Sequence, residues 1–219
     1  MLFQTCVDML LHTVPLKRVE SPRMNMNTLY FHSYIWGLVN NQIETFPVIV
    51  ESLRGIQLMD VACGEKHIIA LARNGRLFTY GVGTEGQLGH GDDTNLKEFK
   101  EVEILSSQNI VTIDGGGTHS AAITQSGKLY CWGGNLWGQI GMGIVCDSIS
   151  IPKQVLFDST LKVIRVSCGA AHSIALLADG TVWSWGLGAG GRLGHGNEFS
   201  LSSPKKITGF PKLTKISEI

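Results

Sequence analysis

Three histidines recur in matched surroundings: Cys63-Gly64-Glu65-Lys66-His67, Gly115-Gly116-Gly117-Thr118-His119 and Cys168-Gly169-Ala170-Ala171-His172. Cysteine and histidine at that spacing form half of a zinc site. The halves lie one or two copies apart, however, and the middle copy has Gly115 in place of cysteine. A histidine hydrogen-bonded to backbone between strands explains the pattern better than a tetrahedral ion. His119-Ser120 and His172-Ser173 invite a nucleophilic reading, which needs nucleophile, base and orienting acid in one pocket. Adjacent strand residues point to opposite faces, so neither pair faces itself. Gly81-Val-Gly83-Thr-Glu-Gly86 and Gly186-Leu-Gly188-Ala-Gly190-Gly191 spell dinucleotide fingerprints. Leu-Gly-His-Gly follows each, and it cannot open the helix whose N-terminus would meet a pyrophosphate. No metal, cofactor or catalytic group is therefore expected.

What positions these groups is a repeat. Cys63 to Gly91, Gly115 to Gly143 and Cys168 to Gly196 align, with histidines 52 and 53 residues apart. The first and third copies agree at 14 of 29 positions without a gap, where roughly two matches would arise by chance. Tyr34, Trp36 and Gly37 repeat the aromatic-x-aromatic-Gly signature, and Asn41-Gln42-Ile43-Glu44 stands where glycine turns stand elsewhere, so residues 29–59 read as an eroded copy. The full copies fall at about 60–111, 112–164 and 165–219, and residues 1–28 match none of them. The last copy stops about two residues short of the next histidine motif, which suggests a fragment.

Each copy reads as strands. His67 to Leu71 is a short apolar run, and Asn74-Gly75, Ser126-Gly127 and Asp179-Gly180 suit tight hairpins. Phe78/Tyr80, Tyr130/Trp132 and Trp183/Trp185 place aromatics two apart on one face. Segments opening with Pro47, Pro152 and Pro204 form a last edge strand with proline at its start, and Lys162 to Val166 enters the next copy. Four short strands per unit is the economy of a propeller blade, whose faces only neighbouring blades can cover.

Composition agrees with a folded domain. The chain is 43% hydrophobic and 16% charged, and its 27 glycines imply many left-handed turns. Lysine plus arginine balances aspartate plus glutamate at 18 each, so no direct nucleic-acid partner is expected. No apolar run reaches the length of a membrane span. Five cysteines make no disulfide framework. Cys63 and Cys168 are expected as buried reduced thiols in a cytoplasmic or nuclear compartment.

Gly169-Ala-Ala-His172-Ser173-Ile-Ala175-Leu176, Gly180, Trp185-Gly186 and Leu193-Gly194 resemble the regulator of chromosome condensation repeat, as do 64–91 and 116–143. That resemblance implies an all-β, seven-bladed propeller of which three to four four-stranded blades lie here. The remaining blades would come from chain not included in this sequence. It implies a regulatory or scaffolding module that binds other proteins and is not itself an enzyme, although it can regulate a larger ubiquitin ligase or kinase. The alternative it raises is a guanine-nucleotide exchange factor for a Ran-like small GTPase.

Positions shared by every copy build blades, and positions that differ are free to recognise a partner. By that rule the contact candidates are Trp137 and Arg192, in the glycine-turn loops with Glu85. Asp92, Asp93, Glu198 and Phe199 in the longer connections follow, because loops on rigid scaffolds carry function. Packing of Trp137 against its own or the next blade is the competing expectation.

Overall fold

The computed structural model describes residues 12–15, 31–39, 42–210 and 218–219. His12–Pro15 (β1), Phe31–Val39 (β2) and Gln42–Ile49 (β3) form an antiparallel three-stranded sheet. The first blade is Leu58–Cys63 (β4), His67–Ala72 (β5), Leu77–Gly81 (β6) and Leu96–Glu101 (β7). The second is Ile110–Gly115 (β8), His119–Thr124 (β9), Leu129–Gly134 (β10) and Ser148–Gln154 (β11). The third is Val163–Cys168 (β12), His172–Leu177 (β13), Val182–Gly186 (β14) and Leu201–Lys206 (β15). Each blade is a meander in sequence order, all antiparallel. The expected turns are present: Gly75, Gly127 and Gly180 hold φ near +80° at the tips of the β5–β6, β9–β10 and β13–β14 hairpins. The eroded-copy residues Trp36 and Asn41 lie outside what is described at side-chain level.

The sheets bury each other, as the alternating aromatics require. Ile69, Leu71 and Leu77 of the first blade form one cluster with Ile110, Ile113, Ala122 and Trp132 of the second. Ala121, Ile123 and Leu129 of the second form another with Val166, Ala175, Trp183 and Trp185 of the third. Tyr80 and Phe99 face Ile35 and Leu53 instead, stacked 5.1 Å apart. The lower aromatic of each strand thus meets the blade before it, with Trp132 and Trp185 fully buried. Rings of this size bury roughly 150–250 Å² each, so blade-on-blade contact dominates the stability.

Three sequence expectations need correction. The prolines do not open the outer strands. Pro152 and Pro204 lie inside β11 and β15, beside register shifts on an edge, where no ladder bond asks for their missing N–H. The side chains of His67 and His119 do not bond to backbone; each meets a serine of the next blade. Cys63 is exposed at the end of β4, and Cys168 is only half-buried although it packs against the cluster between the second and third blades. Cys131 is the fully buried thiol, and burial pushes its pKa well up.

Candidate partner-binding face

The seam between blades is a repeated hydrogen-bond device. His67 Nε2 lies 2.9 Å from Ser120 Oγ, and that hydroxyl donates to the Gln87 carbonyl at 2.8 Å. Trp132 Nε1–H donates to the same carbonyl at 2.9 Å. One blade on, His119 Nε2 meets Ser173 Oγ at 2.9 Å, and Ser173 and Trp185 both donate to the Gln139 carbonyl. Since each serine proton goes to a carbonyl, each histidine is the Nε2–H tautomer. Its Nδ1 is buried without a partner. Burial holds His67 down at about 4 and His119 at about 3. His67 and His119 each meet a serine of the next blade, and no group of three or more His, Cys, Asp or Glu side chains that could hold a metal ion lies among the described residues.

The glycine-rich loops continue the seam. Gly91 N–H donates to the Ser150 carbonyl at 2.9 Å and Gly143 N–H to the Ser202 carbonyl at 2.8 Å. Gly138 has φ +75°, and a Cβ there would sit 2.5 Å from Ser202 Cα. The loop of each blade therefore leans on the outer strand of the next. The fingerprint glycines belong to these turns and start no nucleotide-binding helix.

At the four outermost positions of this loop the blades part company. Thr84, Glu85, Asp92 and Asp93 in the first blade are matched by Leu136, Trp137, Ile144 and Val145 in the second. Those four apolar side chains are 56%, 47%, 55% and 62% exposed. Trp137 belongs to none of the core clusters, and its amide donates to Gln139 Oε1 at 2.9 Å. Asn135 draws the four together. Its Nδ2–H donates to the Ile144 carbonyl at 3.0 Å and its amide to the Asp147 carbonyl at 2.9 Å. In the other blades the matching position is Gly83 or Gly188, and the clamp comes from the far arm, Asn95 or Ser200.

The remaining candidates separate. Glu85 is half-buried, and Asp92, Asp93, Glu198 and Phe199 are exposed on loops at the same end of the blades as Trp137. Phe199 is 75% exposed. The Thr94 hydroxyl and amide hold the Asp92 carboxyl below its ordinary range. Arg192 differs in kind. It occupies the Gln87 and Gln139 position, which is buried under the following blade in the first two cases, and its Nε–H donates to the Ala189 carbonyl at 2.6 Å. Its side chain is exposed, and no following blade lies among the described residues to cover it. Sequence reasoning missed Ile144 and Val145, although their signal was their alignment with Asp92 and Asp93.

Family models of the regulator of chromosome condensation (RCC1) repeat match residues 74–123, 126–176 and 179–219, and a second model of that repeat matches 60–87, 110–139 and 163–192. The chain belongs to the RCC1 repeat family. The 74–123 unit runs from the β5–β6 hairpin through β9, so one sequence repeat ties the outer half of a blade to the inner half of the next. The chain is 41% identical to the ultraviolet-B receptor UVR8 of Arabidopsis thaliana over 171 residues, 78% of this chain and 39% of that protein. It is 34% identical to the human E3 ubiquitin-protein ligase HERC2 over 74% of this chain but 3% of that protein. It thus spans well under half the length of these relatives. In fold it matches human WBSCR16 (TM-score 0.70, 22% identity, covering 82% of this chain and 48% of that one). It matches Prp20p of Saccharomyces cerevisiae as well (TM-score 0.70, 24% identity, covering 84% and 50%). The architecture is that of an RCC1 β-propeller, with three complete blades among the described residues.

Proposed function

We propose that this chain is a protein-binding, regulatory propeller module whose contact surface is the loop end of the second blade. One observation carries the reading. Four matched loop positions change together from polar to apolar between neighbouring blades, while the seam beneath them keeps its serine, glutamine and tryptophan contacts. Exposed aromatic and aliphatic side chains on a rigid support are the usual anchors of protein interfaces. That relatives as different as a light receptor and a ubiquitin ligase share these repeats fits a module whose scaffold is constant and whose loops are not.

Affinity capture with the wild-type chain and with Trp137→Ala, read by quantitative mass spectrometry, tests it. Partners lost with the tryptophan support the reading; an identical partner set removes it. A nucleotide-release assay across purified small GTPases separates binding from exchange catalysis, and acceleration of release would put the exchange reading in its place.

A further inference from the structure

The net charge of zero conceals an uneven distribution. At the loop end, residues 64–66, 82–95, 116–118, 134–147, 169–171 and 187–200 contain six acidic side chains (Glu65, Glu85, Asp92, Asp93, Asp147 and Glu198) against two basic ones, Lys66 and Arg192, and Lys100 of β7 also acts on Asp92. His90 and His195 are half-buried there, and burial lowers the pKa of both, so they add little positive charge.

The seam fixes where these charges stand. Gly91, immediately before Asp92 and Asp93, donates to the Ser150 carbonyl. Ser150 is five residues beyond Val145, so the acidic pair lies within roughly 17 Å of chain from the apolar four. On the other side Gly143, immediately before Ile144, donates to the Ser202 carbonyl, three residues beyond Phe199. The end face therefore runs from an acidic first loop, through Leu136, Trp137, Ile144 and Val145, to Phe199 beside Glu198.

From this order we infer that the loop end binds a basic, apolar-anchored protein segment, in which aliphatic or aromatic side chains seat on the second-blade loop and flanking lysines or arginines face the first-blade carboxylates. This rests on the protein-binding reading above and adds the chemistry of the partner. A nucleic acid fits neither half, because the carboxylates repel phosphate and the apolar four offer it no charge. A purely apolar surface would leave Asp92 and Asp93 unused, whereas opposite charge at the rim speeds encounter and selects among apolar partners.

A random peptide library displayed on phage, selected on the immobilised chain and counter-selected on Trp137→Ala, tests it. Enriched peptides would then be synthesised and their affinities measured by fluorescence anisotropy. The expected peptides carry leucine, phenylalanine or tryptophan flanked by lysine or arginine. Their affinity should fall about thirtyfold or more with Trp137→Ala. With Glu85→Gln, Asp92→Asn and Asp93→Asn combined it should fall about tenfold, a loss that vanishes at high salt. Peptides that depend on Trp137 but are neutral or acidic, or that bind the charge-neutralised variant equally, overturn the basic-partner inference and leave the protein-binding reading standing. Selection of no Trp137-dependent peptide overturns both. Thermal melts of each variant establish that the fold survives.

Discussion

Loops 82–95 and 134–147 make the same turn, lean on the same position of the next blade and donate the same kind of bond into it, Gly91 to Ser150 and Gly143 to Ser202. Above that shared base one carries Thr84, Glu85, Asp92 and Asp93, and the other Leu136, Trp137, Ile144 and Val145. Two tryptophans in the second blade show the same division within one unit. Trp132 is fully buried and donates to the Gln87 carbonyl, whereas Trp137 is half exposed and belongs to none of the core clusters. Residue type alone does not say which tryptophan holds the propeller together and which faces outward. Position relative to the seam does.

That contrast is broken most sharply at the two tryptophans. Trp132→Ala removes a fully buried ring and a donor, and should lower unfolding free energy by about 3–5 kcal/mol. Trp137→Ala should stay within about 0.5 kcal/mol of wild type. Urea denaturation followed by circular dichroism checks both, and a comparable loss at Trp137 would show that its ring packs after all.

Acid probes the seam, although burial lowers His90, His172 and His195 as well. His67 and His119 titrate near 6.5 when unfolded but only at about 4 and about 3 in the fold. The unfolded chain therefore takes up these protons first. Their stabilising effect is complete above pH 6.5 and shrinks as pH falls below it. At pH 5.5 the loss is about 1.4 kcal/mol from each histidine. Asp114, whose pKa burial raises, acts in the opposite sense within its own lower range. Urea midpoints at pH 7.5 and 5.5 for wild type and for His67→Asn with His119→Asn should show the slope flatten in the variant, and an unchanged slope would place the acid sensitivity elsewhere.

The strands, the hairpins, the repeat and the blade-on-blade packing were all legible in the sequence, because period-2 aromatics and Asn-Gly-type turns act locally. The seam was half legible. The recurring histidine announced a structural role, but its partner is a serine about 53 residues away, and no local pattern states which hydroxyl it meets. Differences between copies were the least readable. Arg192 differs from Gln87 and Gln139, at a position that belongs to the seam in the first two blades and is exposed in the third. Cys131 and Met142 differ too, and they do so as a pair. In the first and third blades the same two positions are hydroxyl and imidazole, Thr79 with His90 at 2.9 Å and Ser184 with His195 at 3.0 Å. The second blade replaces that polar pair with two sulfur side chains packed in its core. A double-mutant cycle on Cys131→Thr and Met142→His should give a favourable coupling of about 1 kcal/mol, since the pair restores a bond that neither single change can form. Strict additivity would mean the two positions vary independently.

The smallest expected effect on stability is also the most informative. Converting the second loop to the first, with Leu136→Thr, Trp137→Glu, Ile144→Asp and Val145→Asp together, alters only side chains that already meet solvent. Asn135 still clamps the Ile144 and Asp147 carbonyls, because those bonds use backbone oxygen, and Gly143 still reaches Ser202. Each change should therefore cost under about 0.5 kcal/mol, while partner capture falls to background. The reverse graft, placing the four apolar residues in the first loop, keeps that loop's base and lacks only Asn135, since Gly83 relies on Asn95 for its clamp. It should gain a weaker form of the same binding, and adding Gly83→Asn should not improve it: a Cβ at Gly83 would stand 2.0 Å from the Thr94 carbonyl oxygen. If the four-residue graft without Gly83→Asn bound as well as the native loop, the apolar four would be sufficient by themselves and the geometry set by Asn135 would be incidental.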